Sequence, residues 1–181
     1  MAAPVPPAYI RAMTRPALPI SPGLALAAFS AAMLAAALGF EHLGGLAPCV
    51  LCMDQRYAHL AALVAGLAAA ATSGGMAGRI FLALGLGALV AGAGIAIFHV
   101  GVEQHWWRGT EACGSALAAS GDVDALLAQI QAAPVVRCDA VAWSLFGISM
   151  AGWNALASLA AAGILAFVAD WRAAADRTGM A

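Results

Sequence analysis

The sequence predicts an all-α integral membrane protein, a bundle of four helices, and three observations lead to this prediction. Hydrophobic residues make up 64% of the 181 residues. Charged residues make up only 9%, whereas about a quarter of the residues in soluble domains are charged. The apolar residues fall into four long runs, and about 20 residues suffice for a helix to cross a bilayer. We therefore expect one membrane domain that comprises residues 1–181.

The four runs predict spans at approximately residues 23–43, 49–72, 80–101 and 143–168. The second run is polar through its first turns, and its uninterrupted apolar stretch is 60–71. The segment SGGMAGR at residues 73–79 predicts a tight turn into the third span. The segment from 102 to 142 is then the long loop between the third and fourth spans.

The amino terminus has features of a signal peptide, namely two arginines, an apolar run and the segment LAPC. The apolar run is longer than the roughly 7–15 residues of a signal-peptide core. Pro48 also occupies a position where a lipoprotein cleavage box requires a small residue other than proline. We therefore interpret the run as a retained first span.

The placement of the arginines predicts the orientation, because basic residues accumulate on the cytoplasmic side of short loops. Those on the side of the two termini are Arg11, Arg15, Arg79, Arg172 and Arg177, and those on the other side are Arg56, Arg108 and Arg137. This bias favours cytoplasmic termini. All four cysteines then face the opposite compartment, where disulfides persist. A net charge of −1 leaves no basic surface for nucleic acid.

Two further polar features lie in the loop and the last span. The segment GDVDALLAQIQ repeats apolar residues at helical spacing, which predicts a short amphipathic helix from about residue 122 to 131. This helix is expected to lie on the membrane interface or over the mouth of the bundle. Asn154, inside the fourth span, is expected to hydrogen-bond a neighbouring helix.

The stretch APCVLCMDQRYAHL concentrates reactive groups at the start of the second span. Pro48 suits the first turn of a helix. The spacing then puts four residues on one helix face: Cys49, Cys52, Arg56 and His59. A helix amino terminus favours a thiolate, and Arg56 adds positive charge. An arginine at the lipid edge is costly unless it has a partner or a task. A quinone fits this position, since it dissolves in lipid and its oxygens gain negative charge on reduction.

Metal and haem sites are alternative interpretations of these residues. Structural zinc sites usually pair two short cysteine knuckles, whereas 24 residues separate Cys113 from Cys138, so we predict no metal site. Covalent haem requires a histidine directly after the second cysteine, and Met53 stands there. The sequence does not exclude a haem bound between His59 and His99. His99 could equally hydrogen-bond a quinone carbonyl.

The sequence closely resembles the bacterial disulfide bond formation protein B (DsbB) family. The resemblance rests on CVLCMDQR, FHVGVEQHWWRG, the CG at Cys113 and RCDAVAWSLFGISMAGWNAL, and covers about residues 40–156. It implies a quinone-dependent thiol oxidase of the inner membrane with its cysteines in the periplasm. Such an enzyme reoxidises a periplasmic thioredoxin-like oxidase of the DsbA type and passes two electrons to ubiquinone or menaquinone. Disulfides are thereby generated de novo.

The resemblance also implies roles for the site residues. Cys49 and Cys52 would be the quinone-facing pair, and Cys113 and Cys138 the pair that exchanges with the partner. Arg56 and His99 match residues placed at the quinone. In the implied order, the partner attacks Cys113, Cys138 leaves and attacks Cys49, and Cys52 is released towards the quinone.

Two neighbouring residues refine these expectations. Arg137 directly precedes Cys138 and is expected to stabilise its thiolate, although Asp139 offsets part of this effect. Gln55 stands where some members of the family carry glutamate, which leaves the preferred partner open.

Two other functions compete with this one. A protein similar to vitamin K epoxide reductase would also have four helices, a CxxC pair and a quinone. Its CxxC lies late in the bundle, whereas here the pair opens the second helix. A structural membrane protein would use its cysteines only to staple its outer loops together.

Overall fold

The structure is a computed structural model that describes residues 20–72, 75–113, 124 and 136–177, with side chains up to residue 170. Its helices are α1 (Pro22–His42), α2 (Val50–Ala71), α3 (Met76–Glu103) and α4 (Met150–Arg177). A 3₁₀ turn at Glu111–Cys113 follows α3, and the two-residue strands β1 (Ser144–Leu145) and β2 (Ile148–Ser149) form an antiparallel pair before α4. The prediction of an all-α bundle is confirmed.

Three of the helices are long and apolar enough to cross a membrane, namely α1, α3 and the part of α4 at Met150–Asp170. Helix α2 has 22 residues, and about 20 are enough for a crossing. Its polar first turns lower its mean hydropathy. Helix α2 makes its most extensive contacts with α1 and α3, which flank it. The crossing of the membrane by α2 stays a prediction.

Helices α1 and α2 begin where their sequences provide caps. The hydroxyl of Ser21 accepts the backbone N–H of Leu24 at 3.2 Å, and Pro22 follows as the first helical residue. At α2 the cap is Cys49, whose sulfur accepts the N–H of Cys52 at 3.3 Å. The first site cysteine is therefore also the residue that starts the helix.

The fourth span differs from the sequence prediction, because α4 begins at Met150 rather than near residue 143. Phe146 and Gly147 both have positive φ angles, 53° and 77°. Two consecutive positive φ angles suit the tight turn of a hairpin and interrupt a helix. The chain consequently enters α4 through the β1–β2 hairpin. The predicted amphipathic helix at 122–131 lies outside the described residues, apart from Asp124.

The helices pack through small residues at their contacts. A central cluster takes residues from all four helices: Leu26, Ala62, Leu89, Ala162 and Leu165. Between α1 and α2 the backbones touch, since a Cβ atom added to Gly66 would lie 2.8 Å from the backbone oxygen of Gly23. Small residues permit this approach where lipid provides no hydrophobic driving force.

Gly66→Ala is expected to destabilise the bundle by about 1–3 kcal/mol, the usual effect of overpacking. The added methyl group would meet backbone atoms of Gly23 and Ala27 at 2.8 Å, so α1 and α2 would have to separate. Thermal unfolding in detergent measures the change. Gly39→Ala is the matched control, because its added methyl group meets nothing within 4 Å. Equal stability of the two variants would contradict the expected backbone contact.

Candidate active site

All four cysteines lie at one end of the bundle and are free thiols in this structure. The sulfur atoms of Cys49 and Cys52 are 2.9 Å apart. The thiol of Cys138 lies beside the side chains of both Cys113 and Cys49, in one packed cluster. Cys138 therefore connects the two pairs. In the sequence, 60 residues lie between Cys52 of the first pair and Cys113 of the second.

Each pair contains one buried and one more accessible thiol. Cys49 is 5% exposed and Cys138 is 1% exposed. Cys52 and Cys113 are both half-buried. The two buried sulfurs face each other inside the cluster, and the accessible member of each pair lies towards its edge.

Local structure holds each sulfur in place. Cys49 and Cys52 occupy the cap and first turn of α2. Cys113 ends the 3₁₀ turn, where its N–H donates to the carbonyl of Thr110 at 2.8 Å. Cys138 lies in a turn and packs with Leu51 in one buried cluster, so the loop before α4 lies against the start of α2.

A cavity of about 420 Å³ opens beside the first cysteine pair. Small-molecule sites usually measure about 300–1,000 Å³. Apolar side chains from α1, α2, α4 and the hairpin form most of its walls. Its polar lining includes four of the predicted site residues: Cys49, Cys52, Arg56 and His99.

Arg56 is held at the cavity by two groups of α1. Its guanidinium forms an ion pair with Glu41 and donates to the carbonyl of Ala37 at 3.1 Å. The Arg56 side chain is 17% exposed. Sequence reasoning missed Glu41, although it is the one acidic residue in the first predicted span and could have been recognised as the partner of Arg56.

Behind the cysteines lies a set of buried polar side chains from three helices. The amide nitrogen of Asn154 donates to Oε1 of Gln55 at 2.7 Å, which confirms the predicted bond between Asn154 and a neighbouring helix. His59 bonds to the Asn154 oxygen at 2.9 Å, and Gln55 bonds to His99 at 3.1 Å. Two amides thus connect His59 to His99, and this arrangement does not fit a haem held between the two rings.

His99 faces the first cysteine pair. Its Nε2 atom lies 3.6 Å from the sulfur of Cys49. The ligand atoms of Cys49, Cys52 and His99 lie within 4.8 Å of one another, whereas structural zinc sites have four ligands. Among the described residues no fourth cysteine, histidine or carboxylate joins this group. The absence of a metal site stays a prediction.

A comparison with protein families identifies the family of this chain. The family model described as "Disulfide bond formation protein DsbB" matches residues 21–168. The chain belongs to the DsbB family. The family match gives the chain a general role in disulfide bond formation, as a disulfide-forming oxidoreductase.

Curated relatives agree with the family model. Disulfide bond formation protein B of Methylococcus capsulatus is 36% identical over 69% of this chain and 78% of its own length. That of Verminephrobacter eiseniae is 35% identical over 69% of this chain and 71% of its own. Disulfide bond formation protein B 2 of Pseudomonas syringae is 30% identical over 82% and 90%. No solved structure matches the chain significantly.

The expected effect of Arg137 on this DsbB-family site is wrong. Arg137 directs its guanidinium to Asp139, with contacts of 2.5 and 2.8 Å, and this bond lowers the pKa of Asp139 to about 2. Burial is the main cause that raises the pKa of the Cys138 thiol to about 11. Because the guanidinium of Arg137 points to Asp139, the buried sulfur of Cys138 gains no support from Arg137 as a thiolate.

Proposed function

We propose that the protein is a quinone-dependent thiol oxidase of the bacterial inner membrane, with both termini in the cytoplasm and the cysteines in the periplasm. It reoxidises a periplasmic thioredoxin-like partner of the DsbA type and passes the electrons to ubiquinone or menaquinone. The observation that carries this proposal is the order of the sulfurs. An accessible thiol lies at each edge, and two buried thiols in contact lie between them.

The partner enters at Cys113. Its thiolate attacks the sulfur of Cys113, the Cys113–Cys138 disulfide breaks, and Cys138 leaves as a thiolate. Cys113 is the reachable sulfur of this pair, whereas Cys138 is 1% exposed. The high pKa of Cys138 makes it a slow leaving group, whereas the thiolate released in this step is strongly nucleophilic until it takes up a proton.

The relay then passes between the buried sulfurs. Cys138 attacks Cys49, and Cys52 leaves. The partner's second thiolate displaces Cys113 and completes the partner's disulfide. Cys113 next attacks Cys138, which restores the Cys113–Cys138 disulfide and releases Cys49. The partner has lost two electrons and two protons, and Cys49 and Cys52 have become a dithiol.

The cavity supports a quinone as the electron acceptor. Its walls are apolar, and Cys52 and Arg56 line the same space. When bound there, a quinone accepts two electrons and two protons to become a quinol, and the Cys49–Cys52 disulfide forms again. Arg56 supplies positive charge beside the reacting sulfur, and Glu41 and Ala37 hold the guanidinium in this position.

Mixing the purified protein with a reduced thioredoxin-like dithiol protein and ubiquinone tests the proposal. We expect one quinol and one partner disulfide for each turnover, measured by quinone absorbance and by thiol counting. Cys52→Ser should abolish both products. A wild-type protein that forms neither product would instead support cysteines that only staple the loops.

Reporter fusions test the proposed orientation. A fusion after Ala181 is expected to be active in the cytoplasm, and an insertion near Ser120 is expected to be active outside it. Enzyme reporters that work in only one compartment give the readout. The reverse pattern would place the cysteines in a reducing compartment and contradict the proposed redox function.

A further inference from the structure

The buried polar side chains behind the cysteines form one continuous chain of hydrogen bonds. In order they are His59, Asn154, Gln55 and His99, with the sulfur of Cys49 at the end. The four polar side chains belong to residues that are at most 8% exposed. Because buried polar groups are nearly always hydrogen-bonded, each donor along this chain is expected to face an acceptor.

One backbone carbonyl sets the direction of this chain. The side-chain nitrogen of Gln55 lies 3.0 Å from the carbonyl oxygen of Leu51. A carbonyl oxygen can only accept, so Gln55 must direct its NH₂ group there and its oxygen towards Asn154. Asn154 must in turn present its NH₂ group to that oxygen, at 2.7 Å. Neither amide can be reversed without placing two acceptors together.

The same constraint determines the proton position on both histidines. Gln55 aims its second N–H at Nδ1 of His99, at 3.1 Å, so Nδ1 has to accept and the neutral ring carries its proton on Nε2. A proton on Nδ1 would place two donors face to face. Asn154 directs its oxygen at Nε2 of His59, at 2.9 Å, so His59 also carries its proton on Nε2.

We propose that Gln55 is a positioning residue that holds His99 as the Nε2-protonated imidazole, so that this ring donates a hydrogen bond to the sulfur of Cys49. The Nε2 atom lies 3.6 Å from that sulfur. Because Nδ1 faces Gln55, the Nε2–H is shared between this sulfur and the main-chain carbonyl of Cys138. The carboxylate of Glu103 lies 4.0 Å from the same nitrogen. A donor at this position stabilises negative charge on Cys49.

The consequence for catalysis rests on the proposed function. Cys49 leaves as a thiolate when Cys113 attacks Cys138 and restores the Cys113–Cys138 disulfide. The Nε2–H of His99 then donates to the sulfur of Cys49. With the opposite tautomer, a bare nitrogen would face the thiolate and repel it. Gln55 contributes through His99, and in the described structure its hydrogen bonds go to Leu51, His99 and Asn154 and to none of the sulfurs.

Three substitutions separate this role from general packing. Gln55→Glu replaces the donor with a carboxylate, which accepts from Nδ1 of His99 and so draws the proton to that nitrogen. Gln55→Met keeps the length of the side chain but removes the donor. Asn154→Leu is the matched control. It keeps the bonds from Gln55 to Leu51 and His99, and it removes the acceptor of His59.

Nitrogen NMR of histidine-labelled protein in detergent micelles distinguishes a protonated from a bare ring nitrogen, and single histidine substitutions assign the signals. In neutral solution we expect the wild type to show His99 bare at Nδ1. Gln55→Glu should protonate Nδ1, and Gln55→Met should give a mixture of tautomers. Asn154→Leu should change the signals of His59 and leave those of His99.

A wild-type His99 protonated at Nδ1 would overturn the proposal, as would Gln55→Met with unchanged His99 signals. The wild-type measurement is decisive by itself if the variants fail to fold. No quinone or partner is needed for it. A correct tautomer in a protein that reduces no quinone would reject only the proposed function, and a wrong tautomer in an active protein would reject only the role of Gln55.

Discussion

Cys138→Ser is expected to reduce partner-driven quinone reduction to the uncatalysed background. Among the described residues, Cys138 is the cysteine that lies beside both Cys113 and Cys49, and serine cannot form the disulfides of the relay. Quinol formation with a reduced thioredoxin-like partner measures the loss. The two halves of the site would remain folded but would exchange no electrons.

A small dithiol provides the control for this variant. Cys52 is half-buried and lines the cavity, so dithiothreitol is expected to reduce the Cys49–Cys52 disulfide directly. Cys138→Ser should therefore still reduce quinone when dithiothreitol replaces the protein partner. Partner-driven turnover at the wild-type rate in this variant would refute the relay through Cys138.

The entry point of the relay can be mapped with a partner that lacks its resolving cysteine. This partner is expected to accumulate as a mixed disulfide with Cys113, and peptide mapping identifies the linked residue. The mixed disulfide should not form at Cys138, because this residue is only 1% exposed. A linkage at Cys138 would mean that the loop opens before exchange and would reverse the proposed order.

Arg56→Ala is expected to slow quinone reduction about 100-fold, the usual loss when one charge-stabilising group is removed from an active site. The Cys113–Cys138 disulfide should form normally, because Arg56 lies with the other cysteine pair and lines the cavity. Quinone kinetics and thiol counting measure the two effects. Unchanged kinetics would remove Arg56 from the site.

Glu41→Gln is the matched control for Arg56→Ala. It removes the ion pair but keeps the positive charge, which the carbonyl of Ala37 still holds at 3.1 Å. We therefore expect a smaller loss than in Arg56→Ala. Equal losses would assign the effect to the contact between α1 and α2 instead of the charge of Arg56.

Patterns within single segments accounted for much of what could be predicted. Long runs of apolar residues determine that the chain is an all-α bundle. In lipid each run has to hydrogen-bond its own backbone polar groups, and a helix does this within one segment. Local spacing was also sufficient to put Cys49, Cys52 and Arg56 on one face, since all three belong to one helix. The family motifs predicted His99 as a further site residue, and in the structure its Nε2 atom lies 3.6 Å from the sulfur of Cys49.

Only the tertiary structure decided how these parts meet. The contact between Cys138 and Cys49 depends on how the long loop folds back onto α2, and no local pattern encodes that path. The same holds for the partner of Arg56, which is Glu41 of another helix. Burial of Cys138 reversed the effect expected from its basic neighbour, because a thiolate depends on the groups around it in space. The proton of His99 likewise depends on Gln55, from another helix, whose direction is set by a backbone carbonyl.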